Sequence, residues 1–250
     1  MRIYQGESYQ EISRIAAGIL CAQAVLSPEC VLGLATGGTP VGLYQEMARR
    51  CREGEVSFAR VRTVNLDEYR GLAPDHDQSY RYFMQTNLFD HIDIKAENTH
   101  LLSGLARDPE AECAAYEELI AGLGGIDLQL LGIGHNGHIA FNEPADHFPV
   151  STHLVDLTEN TIQANARFFQ SIDDVPRQAL TMGIGTIMRA RRILMVVTGE
   201  KKADIVCRAF TGPVTPQVPA SILQLHPDVT LVGDRDALLK LREAGAEICG

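Results

Sequence analysis

Residues 127–144 read DLQLLGIGHNGHIAFNEP and indicate how this chain folds. An apolar run at 127–134 ends in glycines, and Asn136, His138 and Glu143 follow it closely. In parallel α/β sheets, ligands bind beyond the carboxyl ends of the strands. An imidazole, an amide and a carboxylate at such a strand end predict a site that moves protons.

Four further apolar runs also predict buried strands, because they are continuously apolar rather than alternating. They are VLGLAT (31–36), RVRTVNL (60–66), RILMVVTG (192–199) and DVTLVGD (228–234). Helical patterns lie between the strands, at 7–26, 40–51, 77–92, 109–123, 201–210 and 235–245. This alternation predicts an α/β fold with a doubly wound, mostly parallel sheet, as a single domain over 1–250. Segment 145–160 fits less well, and is either a lid over the site or a connection with a short edge strand.

The composition limits the partners of the chain. Its 250 residues are 45% hydrophobic, which is enough for a substantial core, and they carry a formal net charge of −10. This charge argues against nucleic acid or an anionic membrane as the main partner, and an anionic small substrate would need a local positive cluster. Six scattered Cys residues form no CxxC pattern, and neither a signal-peptide pattern nor a membrane-length apolar segment occurs. We therefore expect reduced thiols and a cytoplasmic protein.

The stretch ATGGTP at 35–40 follows one predicted strand and leads into a helix. Gly37 and Gly38 allow the backbone to approach a ligand, and the N–H groups there and at the helix start favour a phosphate. The stretch lacks the GK[ST] ending of a Walker loop. An ordinary tight turn between strand and helix is the alternative interpretation.

The stretch NLDEY at 65–69 places two adjacent carboxylates, Asp67 and Glu68, after another predicted strand. Adjacent acids at a helix start are commonly capping residues or solvated charge, and on its own the motif favours that interpretation. The strand-end position beside a candidate phosphate loop makes Asp67 a candidate general base as well.

The stretch GIGHNG at 132–137 matches the GxGxxG pattern of dinucleotide-binding proteins, and Asp156 lies near the distance expected for a ribose contact. That pattern needs its third glycine in the first turn of a long helix. Here HIAFNEPADHFP follows, in which Asn142 and two prolines interrupt any helix. We therefore reject a dinucleotide site.

A metal site and plain surface charge are two further interpretations. His135, His138 and Glu143 lie close in sequence, but metal ligands normally project from one rigid helix or a closed Cys/His set. A proton shuttle therefore fits better than a metal.

Arg167 and Lys202 lie on predicted helices, where solvated charge is the default interpretation. Lys202 differs, because it follows a strand end from which it could reach a phosphate.

Together these stretches resemble one known family. LGLATGGTPVGLYQEM, TVNLDEYRGL, LLGIGHNGHIAFNEP, NARFF, ALTMGIGTIM and LQLHPDVT are similar to glucosamine-6-phosphate deaminases, in the same order from about 30 to 232. The resemblance implies a modified Rossmann-like fold and conversion of glucosamine 6-phosphate and water to fructose 6-phosphate and ammonia, without metal or cofactor. The related 6-phosphogluconolactonases would carry a DER-type acidic motif and DGHTASLFP, whereas this chain has DEY and NGHIAFNEP.

The resemblance also implies roles for individual residues. Asp67 would take the C2 proton and return it to C1, and His138, supported by Glu143, would move the proton that opens the sugar ring. Asn136 would hydrogen-bond His138. The 6-phosphate would be held by Gly37, Gly38, Thr39, Arg167 and Lys202.

Two departures from the family pattern bear on regulation. The allosteric members have Asp at the position of Asn136, and Arg and Lys after NEP where this chain has His153 and Val155. We therefore expect a compact, non-allosteric enzyme that is a monomer, with a homo-oligomer left open. Two rival functions are a sugar-phosphate lactonase and an idle sugar-phosphate sensor. The intact Asp67, His138 and Glu143 argue against the sensor, which needs no proton relay.

Overall fold

A parallel sheet of seven strands forms the centre of the protein. The computed structural model describes residues 1–166 and 169–249, without the side chains of Asn160 and Ala164. In spatial order, the strands are β1 (Arg2–Gly6), β10 (Val229–Asp234), β9 (Ile193–Val197), β6 (Leu128–Leu131), β2 (Val31–Leu34), β3 (Arg62–Asn65) and β5 (Thr99–His100). All neighbouring strands run parallel. The predicted doubly wound, mostly parallel α/β sheet is therefore confirmed.

The helices of the described residues alternate with these strands. They are α1 (Tyr9–Leu26), α2 (Val41–Arg52), α3 (Tyr80–Asn87), α4 (Pro109–Gly122), α5 (Glu159–Asn165), α6 (Ile184–Met188), α7 (Ala203–Thr211) and α8 (Arg235–Glu243). Side chains cap several of them, since Ser8, Ser79, Asp108 and Asp234 accept hydrogen bonds from first-turn N–H groups. Within residues 1–166 and 169–249, no helix is long and apolar enough to cross a membrane.

Helices cover the central strands, which explains their continuously apolar sequences. Every residue of β2, β6 and β9 is buried. Because successive side chains of a strand point to opposite faces, complete burial requires cover on both faces. The helix α1 packs against β9 and β10, and α8 packs against α7, β1 and β10.

The predicted strands and helices are all present, with different ends. Each predicted strand is shorter in the structure, because the flanking residues already belong to the turns. The pattern at 77–92 becomes α3 followed by a 3₁₀ turn at Phe89–His91, and the pattern at 201–210 begins with a 3₁₀ turn at Glu200–Lys202. The two edge strands, β1 and β5, were not predicted.

A second sheet of three antiparallel strands was not predicted either. It comprises β4 (Asp67–Tyr69), β8 (Gln178–Thr181) and β7 (His153–Asp156), with β8 in the middle. Segment 145–160 thus contains a short edge strand, β7. A separate small apolar cluster packs against this sheet, and its buried members are Tyr69, Phe141, Leu157, Ile162, Val175 and Ala179.

The chain order in the large sheet reverses between β2 and β6. From β2 the chain builds outward through β3 and β5 on one side, and then returns to add β6, β9 and β10 on the other. The loops that follow β2 and β6 therefore diverge and leave a crevice at the carboxyl ends of the strands. Both glycine-rich stretches, ATGGTP and GIGHNG, follow these two strands.

Candidate active site

Four functional stretches meet at one edge of the large sheet. The strands β9, β6, β2 and β3 are adjacent and parallel, so their carboxyl ends lie side by side. The residues that follow these ends are Lys202 after β9, Asn136 and His138 after β6, Gly37 to Thr39 after β2, and Asp67 after β3. The sequence predicted that these stretches lie together. The strand order places them on both sides of the reversal between β2 and β6.

Glu143 lies at the centre of the group of polar residues beyond β6. Its side chain is only 8% exposed, and its Oε2 atom lies 3.4 Å from Nδ1 of His138. Asn136 Nδ2 donates a hydrogen bond to the same oxygen, while Asn136 Oδ1 accepts one from the backbone N–H of His138 at 3.2 Å. Asn136 therefore links the Glu143 carboxylate to the backbone of His138.

The surroundings of Glu143 keep it ionised. Burial alone would raise its pKa, but the hydrogen bonds and charge of His138, together with donors from Thr161 and Asn136, lower the pKa to about 2. The 3.4 Å contact with His138 is long for a hydrogen bond but within the range of an ion pair. An ionised carboxylate beside an imidazole stabilises the protonated ring, which suits a proton shuttle.

The backbone of the loop after β6 is shaped around the His138 ring. A Cβ atom at Gly134 would meet three ring atoms of His138 closer than 3.0 Å, so only glycine leaves room for the imidazole there. The N–H of Gly134 donates to the carbonyl of His138 at 2.9 Å, which closes the loop. Gly137 has φ +90°, a conformation that glycine adopts without strain.

The loop is also tied to the strand that carries Asp67. In the small sheet Asp67 pairs with Thr181, whose Oγ1 accepts a hydrogen bond from the N–H of Phe141 at 3.0 Å. Asn142 Nδ2 donates to the carbonyl of Met182 at 2.9 Å. The unpredicted strand β8 thus connects the two halves of the candidate site.

Asp67 is a buried acid with a strongly altered affinity for protons. It is 7% exposed, and burial, reinforced by the neighbouring charge of Glu68, raises its pKa to about 8. The rings of Tyr69, Tyr80 and Phe141 pack together beside β4, with centroid separations of 4.8 Å and 5.7 Å from Tyr69. A carboxyl group with a pKa near neutrality is suited to accept and return a proton.

Glu68 has the structural role that the capping interpretation predicted, but at a helix farther along the chain. Its oxygens accept hydrogen bonds from the N–H groups of Tyr69, Tyr80 and Arg81 at 2.8–2.9 Å. Tyr80 and Arg81 begin α3, so Glu68 satisfies the free N–H groups of that helix. Of the two adjacent acids, Asp67 rather than Glu68 is therefore the candidate general base.

The loop after β2 is open to a ligand. Gly37 has φ +101°, and a Cβ added at Gly37 or Gly38 would meet nothing within 4 Å. The next helix, α2, begins without a side-chain cap. The hydroxyl of Tyr9 holds the loop, since it accepts from the N–H of Gly42 at 2.8 Å and lies 3.1 Å from the carbonyl of Thr39. This geometry is of the kind that binds an anion, and the phosphate site at Gly37, Gly38 and Thr39 stays a prediction.

Lys202 reaches back across the site from the end of β9. Its Nζ donates to the carbonyl of Ile133 at 2.7 Å, and burial lowers the pKa of Lys202 to about 8. Burial, together with the charges of Lys202 and Lys201, also lowers the pKa of His135. A half-buried ammonium group beside the crevice gains from an anionic partner, since that partner replaces the lost hydration.

One residue considered from sequence lies away from the site, and another lies outside the described residues. Asp156 is exposed on β7 and hydrogen-bonds to Gln178, which agrees with rejecting a ribose contact. Arg167 lies outside the described residues. Within the described ranges 1–166 and 169–249, no group of three or more His, Cys, Asp or Glu side chains is arranged to hold a metal ion.

The comparison with known proteins begins with a family model. The family described as glucosamine-6-phosphate isomerases/6-phosphogluconolactonase matches residues 10–232. A glucosamine-6-phosphate deaminase of Lachnoclostridium phytofermentans is 57% identical over 93% of this chain and 98% of its own. One of Clostridium perfringens is 54% identical over 97% of this chain and 100% of its own. The chain belongs to the glucosamine-6-phosphate deaminase family.

Solved structures agree with this assignment. A structure described as a monomeric glucosamine-6-phosphate deaminase matches with a TM-score of 0.94 and 48% identity, over 96% of this chain and 100% of that chain. A 6-phosphogluconolactonase from Trypanosoma cruzi matches with a TM-score of 0.77 and 20% identity, over 96% of each chain. At that identity the lactonase shares the fold alone.

Within this deaminase-family site, sequence reasoning missed two threonines. Thr161 Oγ1 donates to Oε1 of Glu143, and Thr158 Oγ1 donates to the same oxygen at 3.3 Å. Both belong to the start of α5, in a segment without a recognised motif. Thr158 is a helix N-cap residue, since its Oγ1 accepts from the N–H of Thr161. The sequence therefore predicts the start of a helix there, but it does not predict that the two hydroxyls contact Glu143.

Proposed function

We propose that this protein converts glucosamine 6-phosphate and water to fructose 6-phosphate and ammonia. One observation carries the proposal: an anion-type loop, a lysine, an imidazole–carboxylate pair and a buried carboxyl group follow four adjacent strands at one sheet edge. An aldose–ketose isomerisation of an anionic sugar needs these parts: an anchor for the phosphate, a shuttle for ring opening and a base. Membership of the deaminase family supports the same reaction.

The imidazole–carboxylate pair would open the pyranose ring. His138 takes the proton from the C1 hydroxyl and delivers a proton to the ring oxygen, so that the C1–O5 bond breaks and an open-chain aldehyde forms. The ionised Glu143 stabilises the imidazolium that exists between the two transfers. Asn136 donates to Glu143 and therefore holds the carboxylate towards the ring.

The buried carboxyl group of Asp67 would then carry out the isomerisation. Asp67, as a carboxylate, takes the proton from C2 and returns it to C1, while a proton passes from the C2 nitrogen to O1. Together these transfers convert the amino aldehyde to a 2-imino sugar with a hydroxyl group on C1. Water adds to the imine and ammonia leaves, giving fructose 6-phosphate. Although burial raises the pKa of Asp67 to about 8, the ammonium group of the substrate at C2 would favour its ionised form.

The phosphate would anchor the reacting carbons between these groups. Gly37, Gly38 and Thr39 offer backbone N–H groups beside the start of α2, and Lys202 adds a positive charge. Arg167 is included on the family resemblance. Proton transfer by positioned groups contributes about 10²–10⁴-fold, so phosphate anchoring has to supply much of the remaining acceleration through positioning.

Ammonia release and fructose 6-phosphate formation from glucosamine 6-phosphate test the proposal. Purified protein is assayed with EDTA present, and unphosphorylated glucosamine and 6-phosphogluconolactone are run alongside. We expect turnover of the amino-sugar phosphate alone. Lactone hydrolysis without deamination would establish the lactonase instead, and binding of the sugar phosphate without any turnover would establish the sensor.

We also propose that the chain acts as a monomeric single domain in the cytoplasm. The similarity to a deaminase described as monomeric supports this assembly state. Light scattering coupled to size exclusion should give a mass near 27.4 kDa. A mass twice or more that value would exclude the monomer.

Closure of segment 145–160 over the substrate remains a proposal. The contacts of the segment restrict such a motion, because the N–H of Thr186 donates to the carbonyl of Val150 at 3.0 Å, and Gly183 packs directly on Ser151. Any closure would therefore pivot about 150–151. Slower amide exchange across the rest of the segment on adding substrate would support closure, and unchanged exchange would exclude it.

A further inference from the structure

The two oxygens of Glu143 have different sets of partners. Oε2 faces the nitrogen atoms of His138 and Asn136, both from the loop after β6. Oε1 faces away from them and accepts from the hydroxyls of Thr161 and Thr158. A carboxylate can rotate about its terminal bond, so the partners of Oε1 help to decide where Oε2 points.

Thr161 is the better placed of the two hydroxyl donors. Thr161 donates to Oε1 and is only 6% exposed, whereas the contact of Thr158 with the same oxygen is 3.3 Å long. Thr158 already serves as the N-cap of α5, with its Oγ1 accepting from the N–H of Thr161. The hydroxyl of Thr161 lies 3.2 Å from that of Thr158, but the cap bond itself comes from the backbone N–H of Thr161. Its hydrogen bond to Glu143 therefore joins α5 to the site without being required for the helix.

We propose that Thr161 is a positioning residue for ring opening, which holds Oε1 of Glu143 so that Oε2 stays against His138. The inference rests on the proposed deamination and deepens it. A hydrogen bond from a hydroxyl to a buried carboxylate also offsets the lost hydration of the charge, and Thr161 contributes to the low pKa of Glu143. Thr161 acts on the substrate only through Glu143 and His138.

Replacing the hydroxyl with a methyl group tests the role. Thr161→Val keeps the shape of the side chain and removes the donor. We expect kcat for glucosamine 6-phosphate to fall by about 10- to 100-fold, in line with loss of a hydrogen bond to a charged group, with KM changed less than about 3-fold. Thr161→Ser retains the donor and should recover most of kcat.

A double-mutant cycle separates positioning from a general structural effect. If Thr161 acts through Glu143, adding Thr161→Val to Glu143→Gln should cause no further loss of kcat, because the carboxylate that it holds is gone. Thr186→Val is the matched control: Thr186 is 2% exposed and its hydroxyl donates to the carboxylate of Glu117, outside the site. That variant should lose stability without losing kcat.

The outcomes are distinct for the two proposals. Absence of deamination by the unaltered protein would overturn the proposed function. Deamination by the unaltered protein with normal kcat in Thr161→Val, or equal losses in the Glu143→Gln and unaltered backgrounds, would overturn the role of Thr161. If Thr161→Val does not fold by circular dichroism, Thr161→Ala, which introduces no bulk, takes its place in the same cycle.

Discussion

Replacing Asp67 with asparagine should abolish turnover and also stabilise the folded protein at neutral and alkaline pH. The side chain is 7% exposed, and burial followed by the charge of Glu68 raises its pKa from 3.8 to about 8. The folded protein therefore holds this proton more tightly than the unfolded chain does. The stability that the group contributes is complete below about pH 3.8 and is lost as the pH rises through about 8.

The size of the effect follows from the same pKa values. Each pK unit corresponds to about 1.4 kcal/mol, so ionising Asp67 in place costs at most roughly 5 kcal/mol by pH 8. The amide of asparagine avoids the charge but also loses water on burial, which costs about 1–3 kcal/mol. We expect a net gain of about 2–4 kcal/mol at pH 8, or roughly 5–10 °C in Tm for a chain of this size.

Urea unfolding of both proteins at intervals from pH 4 to pH 8 measures the difference. The advantage of Asp67→Asn should be absent at pH 4 and should grow steadily towards pH 8. In the same samples kcat should fall by at least about 10²-fold while substrate binding persists, because the amide cannot act as a base.

Glu68→Gln is the contrasting control. Glu68 is also buried, but its oxygens accept three backbone N–H groups, and an amide NH₂ would face one of those donors. That variant should be destabilised by about 1–3 kcal/mol. Equal unfolding free energies for the unaltered protein and Asp67→Asn across the pH range would refute the reasoning about burial, and retained turnover would remove Asp67 as the base.

Three further predictions concern the loop after β6 and regulation. Gly134→Ala should lower kcat by about 10-fold or more by displacing the His138 ring, whereas Gly132→Ala, whose Cβ meets nothing within 4 Å, should leave steady-state rates unchanged. Asn136→Asp should raise the pKa of Glu143, now about 2, because a second carboxylate replaces the amide donor; NMR titration of the Glu143 carboxyl group measures this, and an unchanged pKa would contradict it. N-acetylglucosamine 6-phosphate should not activate the enzyme, and a sigmoidal rate curve that this compound makes hyperbolic would show the opposite.

The elements that could be predicted from sequence are those whose signals are local. The strands β2, β3, β6, β9 and β10 are continuous apolar runs, and that pattern is visible within a few residues. The strands of the small sheet are three or four residues long and pair 67–69 with 178–181 and 153–156. Their sequences DEY, QALT and HLVD are interrupted by charged or polar residues and lie in no longer apolar run, so no local pattern predicts them, and pairing with distant segments stabilises them.

The candidate site divides in the same way. The amino-acid sequence by itself determined which chemical groups follow the strand ends, and therefore that Asp67, His138 and Glu143 are available. Tertiary structure decided what each group can do. Tyr80 of α3 and Phe141 of the loop after β6 pack on Tyr69 in the strand that carries the buried Asp67, and the start of α5 supplies the hydroxyls for Glu143. The physical reason is that burial and hydrogen bonding, which set proton affinity, arise from residues far apart in the chain.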